Sequence, residues 1–134
     1  LNLSVVNKFK NPKSKKNYLR LLFHHEFYHI IDSKLSLMQL DETWEKINKV
    51  DYSDDLITGG MGINTSVEGF ISEYARNNSA EDKAELFAFM IAQHKEFKKA
   101  IAKDEILLKK SKLMISRLKR ISKEIDKNFW KNLN

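Results

Sequence analysis

The sequence has no cysteine, which excludes disulfides and any thiolate metal site. That absence leaves the compartment open, since cytoplasm, periplasm and secretion are all compatible with it. No apolar run reaches the length needed to span a bilayer. Proline occurs once, in the polar and basic stretch "NKFKNPKSKKN", which reads as a loop. All four glycines fall in "GGMGINTSVEG", residues 59–69, where the chain is expected to leave helix for loop, with room for a strand. No signal peptide is legible. The chain begins with Leu1, so the expectation is an excised fragment lacking N-terminal sequence, and a missing leader would have gone with it.

What is present fits one globular domain over residues 1–134, with 42% hydrophobic and 31% charged residues. The net charge of +6 is uneven. From Ile91 onward there are 13 Lys+Arg against 5 Asp+Glu, whereas the first 90 residues carry 11 against 13. The basic excess belongs to the C-terminal part.

Periodicity predicts a mainly α chain, α+β at most. A first helix is expected over about 18–34, largely buried through Leu19, Leu22, Phe23, Phe27, Ile30 and Ile31. A short second one, about 41–49, has Asp41 as N-cap and Trp44 on its packed side. A third, about 79–103, opens on a capping box of Ser79 and Asp82. A long basic amphipathic helix closes the chain over about 105–130, with Met114, Leu118, Ile121, Ile125 and Phe129 at steps of three or four. The opening "LNLSVV" alternates weakly, as a short strand would. There is no internal repeat.

The first helix carries three of the four histidines, in "LLFHHEFYHIID". His25-Glu26-Phe27-Tyr28-His29 is an H-E-x-x-H pattern. Residues four apart share a helix face, so two imidazoles so placed can bind one zinc ion. Glu26 points to the side and can reach a water there. Zinc lowers the pKa of such a water, and the glutamate can take its proton and return it to a leaving amine. His24 faces about 100° away from His25, which favours packing.

A catalytic zinc of this kind wants a third protein ligand and an open position. His94 is one candidate, though its helix reads as core-facing there. The other is "SAEDKAELFAFM", with Glu81 and Glu85 one turn apart. One acid can coordinate while the other accepts a hydrogen bond from a ligating histidine. A solvated first helical turn would look the same.

The blocks "HHEFYHIID" and "GFISEYARNNSAEDKAELFAFM" together resemble the gluzincin metallopeptidases of the anthrax-lethal-factor-like group. They are also similar to zinc-binding metallopeptidases whose second block reads GF-[VI]-S-x-Y-A-x-x-N-x-x-E-D-x-A-E. The resemblance implies a zincin-like catalytic domain holding one zinc per chain, with His25, His29 and Glu81 as ligands and Glu26 as general base. Tyr74 would support the oxyanion or help protonate the leaving nitrogen. Glu85 would stand behind a ligand, and Asp32 would orient one or end the helix. Tyr28 stands where relatives often carry a small residue, and Lys83 where an aromatic is common. Zincins also use an upstream edge strand to hold substrate, of which "LNLSVV" is a candidate remnant.

The implied activity is zinc-dependent hydrolysis of peptide or protein substrates. The rival is a zinc-holding regulatory or interaction domain that does not cleave. The basic C-terminal part reads as the solvated face of packed helices, without the aromatic–basic interleaving of single-strand binders. A basic face of this kind could instead meet nucleic acid or an anionic membrane surface, but no nucleic-acid partner is expected and membrane association is not indicated. Substrate, oligomeric state and localisation do not follow from the sequence.

Overall fold

The computed structural model describes residues 9–35, 41–58, 62–64 and 66–133. Among these there are six α-helices, one 3-10 helix and no strand, so the chain is mainly α. "LNLSVV" and part of the glycine-rich segment lie outside the described residues.

Helix α1 (Pro12–Lys34) starts six residues earlier than expected. Asn11 accepts from the Lys13 amide at 2.8 Å, and Pro12 occupies the first turn, where its missing N–H costs nothing. The lone proline thus opens a helix instead of marking a loop. The buried stripe of α1 is also not the expected one. It is Leu21, His25, Tyr28 and Asp32, at helical spacing. Leu19, Phe23, Phe27 and Ile30 form a second stripe that is exposed, Phe23 to 64%. Apolar periodicity locates a stripe; it does not say which stripe meets the rest of the chain.

Helix α2 is one turn, Glu42–Glu45, capped as expected by Asp41, whose side chain accepts from the Trp44 amide. Trp44 is fully buried. Beyond it the chain continues in turns closed by bonds from Ile47 to Trp44 and Asn48 to Glu45, not in helix.

A 3-10 helix, Tyr74–Asn77, leads into α3 (Ser79–Ala92). The cap of α3 is Asn78, which accepts from the Glu81 amide at 3.0 Å, so the expected Ser79–Asp82 box does not form. Asp82 is drawn inward instead. It accepts from Trp44 Nε1 at 2.8 Å, Tyr52 at 3.1 Å and Lys110 Nζ at 2.7 Å. Helix α3 is buried from Asp82 to Met90 and packs along α1.

The expected 79–103 helix breaks at Gln93, whose backbone is non-helical, and resumes as α4 (His94–Ile101). The expected 105–130 helix breaks too. Helix α5 (Glu105–Ile121) ends at the extended Ser122, and Asp126 caps a short α6 (Lys127–Lys131) through the Asn128 and Phe129 amides. Side-chain oxygens that bond nearby amides offer the backbone an alternative to continuing the helix. Met114 and Leu118 are buried as expected, but Ile121 and Phe129 are exposed. Nor are all the basic residues of α5 solvated: Lys110 and Arg117 are buried and ion-paired. No described helix is long and apolar enough to cross a membrane.

Candidate metal centre

The packing of α1 on α3 brings His25 and His29 against Glu81. His25 Nε2 lies 3.1 Å from His29 Nε2 and 3.0 Å from Glu81 Oε2, which is 3.6 Å from His29 Nε2. Ligands about 2.0–2.1 Å from one tetrahedral zinc stand about 3.3 Å apart, so these three spacings bracket what such an ion needs. The donor set of two imidazoles and a carboxylate is also one that zinc accepts. Glu81 Oε2 is buried and makes no hydrogen bond, although both Nε2 atoms are within ion-pair range. A buried oxygen left in that condition is what a cation would satisfy. The residues present therefore fit a zinc ion.

Each side chain is placed by its element. His25 and His29 are one turn apart on α1, near its middle. The Asn78 cap fixes the first turn of α3, whose third residue is Glu81. One turn further on, Glu85 accepts from His25 Nδ1 at 2.8 Å, which leaves Nε2 facing His29 and Glu81. Burial alone would lower the His25 pKa, but the adjoining Glu81 and Glu85 carboxylates outweigh it and raise the group to about 9. Burial would raise Glu81, yet the two imidazoles hold it down at about 2.

The ring of Tyr74 lies 5.9 Å from that of His25. Burial pushes its phenol pKa up, and the charges of Glu81, Glu85 and Glu26 push it further. The phenol is therefore a protonated donor near neutral pH. Its turn is tied down by Asn77, whose amide bonds both backbone groups of Ile57, and by a Ser53 amide bond to Arg76 O. Glu26 is half-buried and lines an open apolar groove along α1 with Leu22, Phe23 and Phe27.

Asp32 is fully buried on the last turns of α1 and meets Lys83 Nζ at 2.7 Å, rather than a histidine. The cation at position 83 is thus matched to an acid on the facing helix. Tyr28 is fully buried and packs against Phe87, ring centroids 5.1 Å apart. His24 packs edge-on against Phe87 at 6.2 Å, and burial followed by the Arg20 charge lowers its pKa, as suits a neutral packing residue. His94 is buried at the start of α4, bonded through Nδ1 to Met90 O and apart from the cluster.

Two contributors were given no role by the sequence reading, Ser72 and Asn78, although both stand at fixed positions of the second block. Asn78 is the one with a recoverable signal, because an asparagine three residues before Glu81 is an N-cap at the right offset.

The fold and this cluster define a class: a mainly helical chain presenting two histidines of one helix and a glutamate of another to a common point. A family model described as "Putative zinc-binding metallo-peptidase" matches residues 1–132, and the chain belongs to that family. No curated protein and no solved structure matches the chain.

Proposed function

We propose that the chain is a gluzincin-type zinc peptidase that holds one zinc ion through His25, His29 and Glu81. The observation that carries this reading is their convergence, with all three donor atoms within 4.8 Å of one another. Zinc held there would supply Lewis acidity, polarising a peptide carbonyl and acidifying a water. The remaining tasks fall to the chain. Glu26 takes a proton from the attacking water and delivers it to the leaving amine nitrogen. Tyr74 donates a hydrogen bond to the oxygen on which negative charge grows. Glu85 keeps His25 turned so that Nε2 faces its partners.

Metal analysis and a peptide-library digest test this together. Purified protein given zinc should retain about one ion per chain and cleave peptides near neutral pH. Glu26→Gln should retain the ion and lose about 10²–10⁴-fold in turnover, the range for a positioned acid–base group. Protein that retains no zinc ends the reading. Zinc retention without cleavage leaves the binding domain, and full activity in Glu26→Gln removes the base.

A further inference from the structure

Ser72 lies in the segment between the glycine-rich stretch and α3 and is fully buried. Its hydroxyl has two partners. Oγ accepts from the Ala75 amide at 3.2 Å, within the turn that carries Tyr74, and its own proton goes to Glu85 Oε2 at 2.7 Å. The other oxygen of Glu85 receives His25 Nδ1 at 2.8 Å. We propose that Ser72 is a positioning residue of this site: one hydroxyl holds the carboxylate that holds His25 and, on its other side, the turn that holds Tyr74.

The hydrogen-bond directions follow from the donor inventory. A hydroxyl has one proton and two lone pairs. The Ala75 N–H can only donate, so the Ser72 proton is free to point at Glu85. With Oε2 accepting that proton, Oε1 is left to accept from His25 Nδ1–H. The tautomer that presents the Nε2 lone pair to His29 and Glu81 is then the one the chain favours. Ser72 also fixes which rotamer of Glu85 faces α1. Without it, Oε2 and the Ala75 amide would be buried without partners, and both would rearrange toward others. The proposal rests on the metal-centre reading above.

Zinc affinity, measured by competition with a chromophoric chelator, tests it in a four-variant cycle of wild type, Ser72→Ala, Glu85→Ala and the double variant. Ser72→Ala should weaken binding by about tenfold, the low end for partners of metal-ligating groups. In the Glu85→Ala background the same change should matter by less than about twofold, because the group it acts through is gone. Cobalt substituted for zinc should show an altered visible spectrum in Ser72→Ala, which a remote packing defect would not produce. Wild-type affinity in Ser72→Ala, or an equal loss in both backgrounds, overturns the proposal while the metal centre stands. A wild-type chain that binds no zinc overturns the metal centre itself. If Ser72→Ala does not fold, the near-isosteric Ser72→Cys carries the test, its weak donor giving a loss in the same direction; unchanged affinity there is equally fatal.

Discussion

His25 sits between two carboxylates that act on different nitrogens. Glu81 faces Nε2, on the side of His29, while Glu85 binds Nδ1 from behind. Removing them should therefore hurt unequally. Glu85→Ala is expected to weaken zinc binding about 10–100-fold, by freeing the ring to turn. Glu81→Ala should cost more, because the proposed ligand atom itself is lost. Isothermal titration of both variants decides it, and the reverse order would exchange their roles. Tyr74 is a different case. Its ring lies 5.9 Å from that of His25, and its raised pKa keeps the phenol protonated. Tyr74→Phe is expected to lower kcat about 10²–10³-fold, the cost of losing one oxyanion donor, with zinc affinity intact. A matching fall in zinc affinity would make the residue structural.

Elements were legible where local spacing decides and illegible where partners decide. The existence of α1, α3 and α5, and the one-turn separation of His25 from His29, follow from periodicity alone. The face of α1 does not, because its buried stripe is half polar: His25 and Asp32 are there to meet Glu85 and Lys83 on α3. Composition cannot foresee that, since the partners lie more than 50 residues away. The helix breaks at Gln93 and Ser122 carry no proline or glycine, so no local breaker announced them. Gly69 shows the converse, a residue whose type is dictated by an element it does not belong to. Its φ of 89° is in the left-handed region, its amide bonds Asp104, and Lys110 reaches its carbonyl. A Cβ there would stand 2.6 Å from Cγ2 and 3.2 Å from Cβ of Ile106, in the first turn of α5. The near-backbone atom cannot swing away. Gly69→Ala should therefore destabilise by about 2 kcal/mol or more, from left-handed strain plus the clash. A lowered urea midpoint with a well-folded baseline is the expected result, and an unchanged midpoint would show that the start of α5 yields.

Across the whole molecule, buried charge ties the elements together. Asp41, before α2, grips Arg117 of α5 through two nitrogens. Lys83 of α3 stands between Asp41 at 3.3 Å and Asp32 of α1 at 2.7 Å. Helices α1, α3 and α5 and the N-cap residue of α2 thus meet at one cluster of two acids and two cations, on the same α1–α3 contact that carries the candidate metal centre. The cap role of Asp41 was readable beforehand, but its pairing was not, because the Asp41–Arg117 pair spans 76 positions and Arg117 looks like an ordinary surface charge in sequence. Breaking such a pair from one side strands the rest. Asp41→Ala should cost about 3–5 kcal/mol, since Arg117 and Lys83 remain buried. The same cluster fixes the response to acid. Burial would raise the Asp41 pKa, but the Arg117 hydrogen bonds and the Lys83 charge overcome this and hold it below its ordinary 3.8. A carboxyl depressed in the folded state contributes stability that is complete above the unfolded pKa, here about pH 4. That contribution disappears as pH falls through the lower folded value. Denaturant midpoints of the wild type should therefore decline below about pH 4. Asp41→Asn, which keeps the shape but not the charge, should start lower and show a shallower decline over the same interval. Parallel acid limbs for the two proteins would mean that other carboxylates set the acid sensitivity of the fold.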